Sequence, residues 1–525
     1  MNKRHIFTGV ALCAVLLRTF AQEGLRGPEA VPNPRIQRQL TVAVYDRDFD
    51  LNPHTANYNT EAQLLGALYE GLFSYDPQEL DPVPALAESY EVSADRKKWT
   101  FHLRDNAMLS DGTAIAADTV RDSWMALLEE KDAPFASLLD CIKGAQAYRL
   151  GKGKAKSVGI KADGNVLTLT LAEPTEYLCK ILCHHAFAVT ARAGVYSGPF
   201  VLKSRSKTEI LFEKNTRYWD SEHVYLPSIR ILLSDDESAN SLAFNAGECD
   251  WIAGSFDASA LLNADALKLA AQFGTSFLFF KNRSGSVWND AQLRTALLAA
   301  VPWDRFRSGQ LIPATTLLYP LDGYPQLRGI VETDVERAKE LLAAAKKRLK
   351  IPADKALTVT IAVSNLPFYR NLTDVLISAW EAIGVTVKVQ KTPEDRYLES
   401  IPGWDADIFS YSWIGDFADP MAFLELFRGK SSLNVSGWEN KKYDQLLKNS
   451  STKTDLERLR ILGEAEELLL NDGEILPIGH SINANVIDLS TIGGWYINSM
   501  DLHPFKCMYI KESSAAPLPN LVMAE

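Results

Sequence analysis

The chain has 525 residues, 46% apolar, 10% aromatic and 23% charged, with 30 Gly and 24 Pro. These values exclude collagen, a coiled coil and wholesale disorder, and the length allows two to four domains with a sizeable core. The net charge of −11 and the absence of a visible basic face argue against nucleic acid as a partner.

The first residues read as a targeting segment. Lys3 and Arg4 form a basic start, Ile6 to Leu17 is an apolar run of leader length, and Thr19-Phe20-Ala21 offers a small-residue exit. Cleavage after residue 21 leaves 52 basic against 66 acidic residues, a net charge of −14. A lipid on Cys13 is the competing reading, opposed by bulky Leu12 and by the continuation of the apolar run. No later segment has eighteen uninterrupted apolar residues. Cys141, Cys179, Cys183, Cys249 and Cys507 remain, an odd and sparse set that is no disulfide framework. Cys179, Cys183, His184 and His185 alone have metal-like spacing, and without a second ligand pair they read more simply as small apolar thiols on one face.

Residues 22–38, with Pro28, Pro32 and Pro34, predict a flexible lead-in. Leu40 to Val44 is a strand, and Glu61 to Phe73 carries helical spacing. Trp99 to Leu103 alternates as a strand, Ser110 to Thr113 is a turn, Ala117 opens a helix through Leu128, and Asn165 to Leu171 is a strand. The lysines at 154, 156 and 161 read as a solvated face. Phe200–Leu202 and Glu209–Glu213 form a hairpin, Ile229 to Leu233 a strand, and Ser238 to Asn245 a helix closed by Gly247. Phe277 to Phe280 is a buried strand, and Gln292–Val301 and Val335–Leu349 are helices, the latter ending in basic residues that suit its C-terminus. Leu357–Val363, Leu372–Ile383 and Val385–Val389 form a parallel strand–helix–strand crossover. Leu456 to Leu470 is a helix, Ile475 to Ile478 a strand, and 513–525 a frayed tail. The class is α/β with β-rich portions.

No G-x-S-x-G, P-loop, G-x-G-x-x-G or H-E-x-x-H motif occurs, so the sequence offers no common catalytic frame. The segment Trp413-Ile414-Gly415-Asp416-Phe417-Ala418-Asp419-Pro420 stands out. It follows an alternating strand, Ile408 to Tyr411, and precedes a helix near Pro420, a place where α/β folds hold ligands. Asp419 before Pro420 fits a helix cap. Asp416 is then the candidate to meet a cation in a semi-enclosed pocket.

Pro84-Ala85-Leu86-Ala87-Glu88-Ser89-Tyr90, Trp99 to Arg104, Ser110 to Thr113, Gly71-Leu72-Phe73, Tyr218-Trp219, Gly247-Glu248-Cys249-Asp250, Trp413 to Pro420 and Ile492 to Trp495 follow in order. From about residue 40 to 512 the chain resembles the bacterial extracellular solute-binding proteins for oligopeptides, the receptors of ABC importers. The resemblance implies a two-lobed periplasmic-binding-protein fold with a hinge, one lobe carrying an additional β-rich domain. It places lobe I at 39–59, 175–274 and 480–512, the extra domain at 60–174 and lobe II at 275–479. It implies a monomeric periplasmic receptor, anchored if Cys13 carries a lipid, without cofactor or catalysis. Its partners would be short peptides and a membrane permease.

By the same likeness Asp416 would hold the peptide α-ammonium. Gly415, Phe417 and Ala418, with Asn57, Tyr58 and Asn59 opposite, would supply backbone rails to an extended peptide. Phe135, Tyr369 and Trp413 would line side-chain pockets, or pack as core aromatics. Where the best-known members have two arginines for the peptide carboxylate, this chain has Ile401 and Ser410, leaving other cations such as Arg370. That departure keeps a non-peptide solute open (a nickel chelate or a sugar), with an exported hydrolase as the reading from another class.

Overall fold

The computed structural model describes residues 38–131, 133–365, 367–392, 397, 401 and 403–511. The expected leader, the C-terminal tail and all but the last residue of the lead-in lie outside them. One ten-stranded sheet organises the molecule. Its first end holds Leu40–Val44 parallel to Ser228–Leu233, with the Phe200–Arg205 and Glu209–Lys214 hairpin at the edge. Its other end holds Leu357–Ser364 parallel to Val385–Thr392, joined through the helix Pro367–Glu381, as the crossover pattern predicts.

Each end has its own apolar core. Leu40, Phe200, Phe212, Trp251 and Trp495 centre one, and Trp288, Trp303, Val359, Ile361 and Trp380 the other. Two long antiparallel strands, Leu267–Phe280 and Ile475–Ile487, lie in the middle of the sheet and run from one core to the other. Sequence reading catches only their apolar ends. The connecting stretches are polar, and Thr275 pairs opposite His480, its hydroxyl 2.9 Å from His480 Nδ1. The ladder slips between Ala271 and Thr275 and again between Ser276 and Phe277, so the crossing is irregular where the two lobes meet.

A four-stranded antiparallel sheet, in the order Ala87–Val92, Lys98–Leu103, Val166–Thr170, Ile160–Asp163, forms the additional β-rich domain. The helix Ala117–Glu129 covers it and buries Trp124, whose indole N–H donates to the Phe187 carbonyl at 2.9 Å. The protein is thus α/β and two-lobed, with this domain added to one lobe.

Local signals explain most boundaries. Asp236, Asp290 and Asp334 each accept a backbone N–H three residues on and start the helices Glu237–Asn245, Ala291–Ala300 and Val335–Arg348. Gly247, at φ +73°, follows the first of these as expected. The helix predicted through Phe73 instead spans Asn59–Leu68. Beyond Leu68 the backbone serves other segments: the carbonyls of Glu70, Gly71 and Leu72 accept from Val189, Leu86 and Ala85, and Phe73–Tyr75 pairs with Pro82–Pro84. Apolar spacing continues there because both environments are buried.

Glu466, inside the helix Asp455–Asn471, is fully buried. It accepts the Leu317 and Leu318 N–H groups at 2.7 and 2.9 Å and the Tyr324 hydroxyl at 2.9 Å. Burial outweighs these donors and pushes its pKa up from 4.5 to about 7. A raised folded-state pKa gives stability that is full below about pH 4.5 and lost as pH rises through about 7. Urea titrations of wild type and Glu466→Gln at pH 5 and pH 8 should show the wild type losing on the order of 3 kcal/mol more than the variant across that interval. Equal pH dependence would show Glu466 ionised throughout.

Candidate functional site

The strand Ile408–Ile414 pairs antiparallel with the crossing strand Leu267–Phe280, setting Phe409 opposite Phe279 and Tyr411 opposite Phe277. Alternation places Phe409, Tyr411 and Trp413 on one face. Their rings join those of Phe277 and Phe279, with centroids 5.8–6.0 Å apart. This aromatic face meets the β-rich domain. Phe135 contacts Trp413 at 6.3 Å, and Phe417 stacks on Tyr177 at 5.8 Å.

The loop after this strand crosses to the opposite side. Gly415 donates its N–H to the Phe273 carbonyl at 2.7 Å, and an added Cβ would overlap the Phe273 ring, so only glycine fits this approach. The turn delivers Asp416, whose carbonyl accepts from the Tyr75 hydroxyl at 2.8 Å. Asp416 Oδ1 lies 3.6 Å from His184 Nε2, while Oδ2 is buried with no hydrogen-bond partner among the described residues. Burial pushes the Asp416 pKa well above the usual carboxylate range. A second carboxylate three residues on has the opposite fate. Asp419 accepts the Met421 N–H at 3.0 Å, as the capping reading expects, and is held by both terminal nitrogens of Arg458 at 2.7 and 2.8 Å. Arg458 in turn sits 4.9 Å from the Tyr177 ring centroid.

The other expected site residues divide. Phe135 is buried beside Asp416, its ring 4.3 Å from His184 and 5.6 Å from His185. Trp413 is buried and donates its indole N–H to the Ala422 carbonyl at 2.8 Å, so it packs rather than opening a polar pocket. Tyr58 lies close enough to Tyr411 to help raise its phenol pKa, after burial and Asp416, which brings residue 58 to the same cleft.

Along the rail expected at Asn57–Asn59, two backbone amides are engaged within the protein. The Asn57 and Tyr58 N–H groups both donate to Glu61, at 2.9 and 3.0 Å, and Asn59 Nδ2 donates to the Met500 carbonyl at 3.2 Å. These residues begin the helix Asn59–Leu68, and their amides serve its first turn. On the facing rail the Gly415 N–H and the Asp416 carbonyl are engaged as described, and the Ala418 carbonyl accepts from Lys180 at 2.8 Å. Tyr369 is half-buried on Pro367–Glu381 against the second lobe's own core, a separate apolar cluster from that of Phe135 and Trp413. Arg370 on the same helix is exposed.

Ile401 and Ser410 are both buried. The Ser410 N–H donates to the Tyr397 hydroxyl at 2.7 Å, and the Ile401 carbonyl accepts from Lys281 at 2.7 Å. Lys281 and Arg283, which pairs with Asp405 and Asp407, are therefore cations that reach the arginine-free stretch from outside it, which sequence spacing does not reveal. Cys183 donates to the carbonyls of Ser74 and Cys179, and burial raises the Cys179 thiol to about 12. Among the described residues no group of three or more His, Cys, Asp or Glu side chains is arranged to hold a metal ion.

The two lobes touch across this region. Lys180 to Ala418, Tyr75 to Asp416, Ser432 to the Pro134 carbonyl at 2.6 Å and Lys448 to Glu173 at 2.8 Å are all such contacts. The cavity behind His184, lined by Gln63, Tyr69, Tyr75, His185, His503 and Lys506 among others, holds about 80 Å³. Small-molecule sites usually measure about 300–1,000 Å³. This cavity is therefore too small for a ligand of tripeptide size.

With fold and site described, the family is plain. Residues 81–434 match the family of bacterial extracellular solute-binding proteins, family 5, and the chain belongs to it. It is 27% identical over 493 residues to the dipeptide-binding protein DppE of Bacillus subtilis, covering 87% of this chain and 89% of that one. The murein tripeptide-binding protein MppA of Escherichia coli superposes with a TM-score of 0.78 at 25% identity, over 92% of this chain and 99% of its own. An unliganded open form of MppA reaches only 0.62, over 90% of this chain and 98% of its own, in keeping with lobes that touch here. By name both relatives are peptide-binding proteins. No helix of the described residues is long and apolar enough to cross a membrane.

Arg458→Met should leave Asp419 buried without its countercharge and cost about 3–5 kcal/mol in urea unfolding. Adding Asp419→Asn should recover most of that loss. No recovery would mean that Arg458 stabilises the loop by packing on Tyr177 alone.

Proposed function

We propose that the chain is an exported, monomeric receptor that takes peptides in extended form between its lobes and delivers them to the permease of an ABC importer. Residues 1–21 act as the leader, and the lobes divide near Thr275 and Gly479. Asp416 holds the peptide's α-ammonium. The observation that carries this reading is the Asp416 carboxyl itself. It lies at the interface between the lobes with one oxygen buried and without a hydrogen-bond partner among the described residues, where an ionised carboxylate is costly unless a cation joins it. A free amino terminus supplies that cation. A neutral sugar does not, and the likeness to dipeptide- and murein-peptide-binding proteins points the same way.

Tyr411, the half-buried ring of the aromatic face, supports a second element. Next to a charged anchor it offers apolar surface to ligand side chains, so affinity gains from apolar residues near the amino end. A charge-assisted hydrogen bond of this kind contributes about 1.5–3 kcal/mol. Calorimetry with free peptides should show Asp416→Asn, which keeps size and shape, weakening binding roughly ten- to a hundredfold. N-acetylated peptides should bind both proteins equally weakly. Undiminished binding of free peptides by the variant would remove Asp416 from the site.

A further inference from the structure

We infer that His184 is the positioning residue for Asp416: a neutral imidazole on one lobe that presents its Nε2–H to the carboxylate of the other and aims the remaining oxygen at the ligand's amine. This rests on the reading of Asp416 as the amine-binding group and goes beyond it, because it assigns the orienting partner and the moment at which that partner engages.

The geometry starts from the chain. After the short helix Leu178–Ile181, His184 precedes the turn His185–Phe187, and its Nδ1 accepts the Ala186 N–H at 3.2 Å. An imidazole whose Nδ1 accepts must, when neutral, carry its proton on Nε2. That nitrogen is the one 3.6 Å from Asp416 Oδ1. The distance is just longer than a hydrogen bond, so a small side-chain shift on binding makes the contact. The ring has little other freedom. It is 5% exposed, with Phe135 at 4.3 Å on one side and His185 at 4.1 Å on another.

The charge state matters as much as the direction. A protonated His184 would itself satisfy Asp416 and compete with the ligand's ammonium. Burial lowers the His184 pKa to about 3, and neighbouring His185, pushed well below the usual imidazole range by burial and then by His184, adds no countercharge. The ring therefore orients the carboxylate without neutralising it. With Oδ1 engaged, Oδ2 remains, the atom that is buried and unpartnered among the described residues. Tyr75, which holds the Asp416 carbonyl from the same side, fixes the backbone beneath. His184 sits with the β-rich domain and the first lobe, and Asp416 follows a strand of the second. The pair consequently forms only when the lobes meet, and the amine site is complete only in the closed protein.

The test compares Ala-Phe-Ala with N-acetyl-Ala-Phe-Ala by calorimetry at pH 7 on the full chain. The quantity is the ratio of the two affinities, which general loss of packing does not move. Wild type should prefer the free peptide at least tenfold, and His184→Phe, which keeps a flat ring on Phe135, should cut that preference by about tenfold, one hydrogen bond to a charged group. His184→Gln, which restores a donor, should regain most of it. In an Asp416→Asn background His184→Phe should leave the ratio unchanged, since the orienting effect acts only through the carboxylate. His184→Leu serves as a second donor-free variant should the phenylalanine not fold. An unaltered ratio in His184→Phe or His184→Leu, with wild type still preferring the free peptide, overturns the role of His184 alone. Equal binding of both peptides by wild type, or of neither, overturns the amine reading of Asp416 and this proposal together.

Discussion

A carboxyl group buried where no cation of the described residues pairs with it is the constraint on which the proposed reading of this molecule rests. Asp416 and Asp419 are three residues apart, yet their surroundings assign them opposite tasks. Asp419 is closed off by Arg458 and a helix N-terminus, so its charge is spent within the protein. Among the described residues, Asp416 lies 3.6 Å from a neutral imidazole and its backbone carbonyl is bonded by a tyrosine. An open valence of this sort is tolerable in a protein whose lobes separate, because the charge can return to water between binding events.

The rest of the architecture serves that separation. The two long central strands carry apolar residues where they enter each core and Thr, Ser, Gly, His and Asn where they pass between, with the ladder slipping at the crossing. A mostly polar crossing with a slipped ladder can change twist without opening the core at either end, Phe273 being the large apolar side chain it buries. The β-rich domain through Phe135, and the first lobe through Tyr177, Lys180 and His184, supply the opposing wall, so on the proposed reading the contact that completes the site is also the contact that closes the molecule.

Much of this was legible in the sequence, and the failures have physical causes. Strong alternation or helical spacing bounded by Asp caps and glycine located most elements, and the strand–turn–helix setting singled out Asp416 from Asp419. The crossing strands were seen only at their apolar ends, since a polar strand between two lobes lacks a period of two. At the expected rail over 57–59, Glu61, one helical turn on, accepts from the Asn57 and Tyr58 amides, a contact that local spacing does not show. Tyr369 lies against a different core from the site. His184 drew notice as one of a cysteine–histidine cluster. Its relation to a residue more than two hundred positions away depends on the tertiary fold, which no local spacing encodes.

The central claim is that the lobes close upon a free amine held by Asp416. A crystal structure of the protein with a bound peptide tests it most directly. The account requires the ligand's amino nitrogen about 2.7–2.9 Å from an Asp416 carboxylate oxygen, with both lobes in contact with the peptide. A peptide whose amino end lies in solvent, or an Asp416 carboxyl turned out of the cleft, would contradict it.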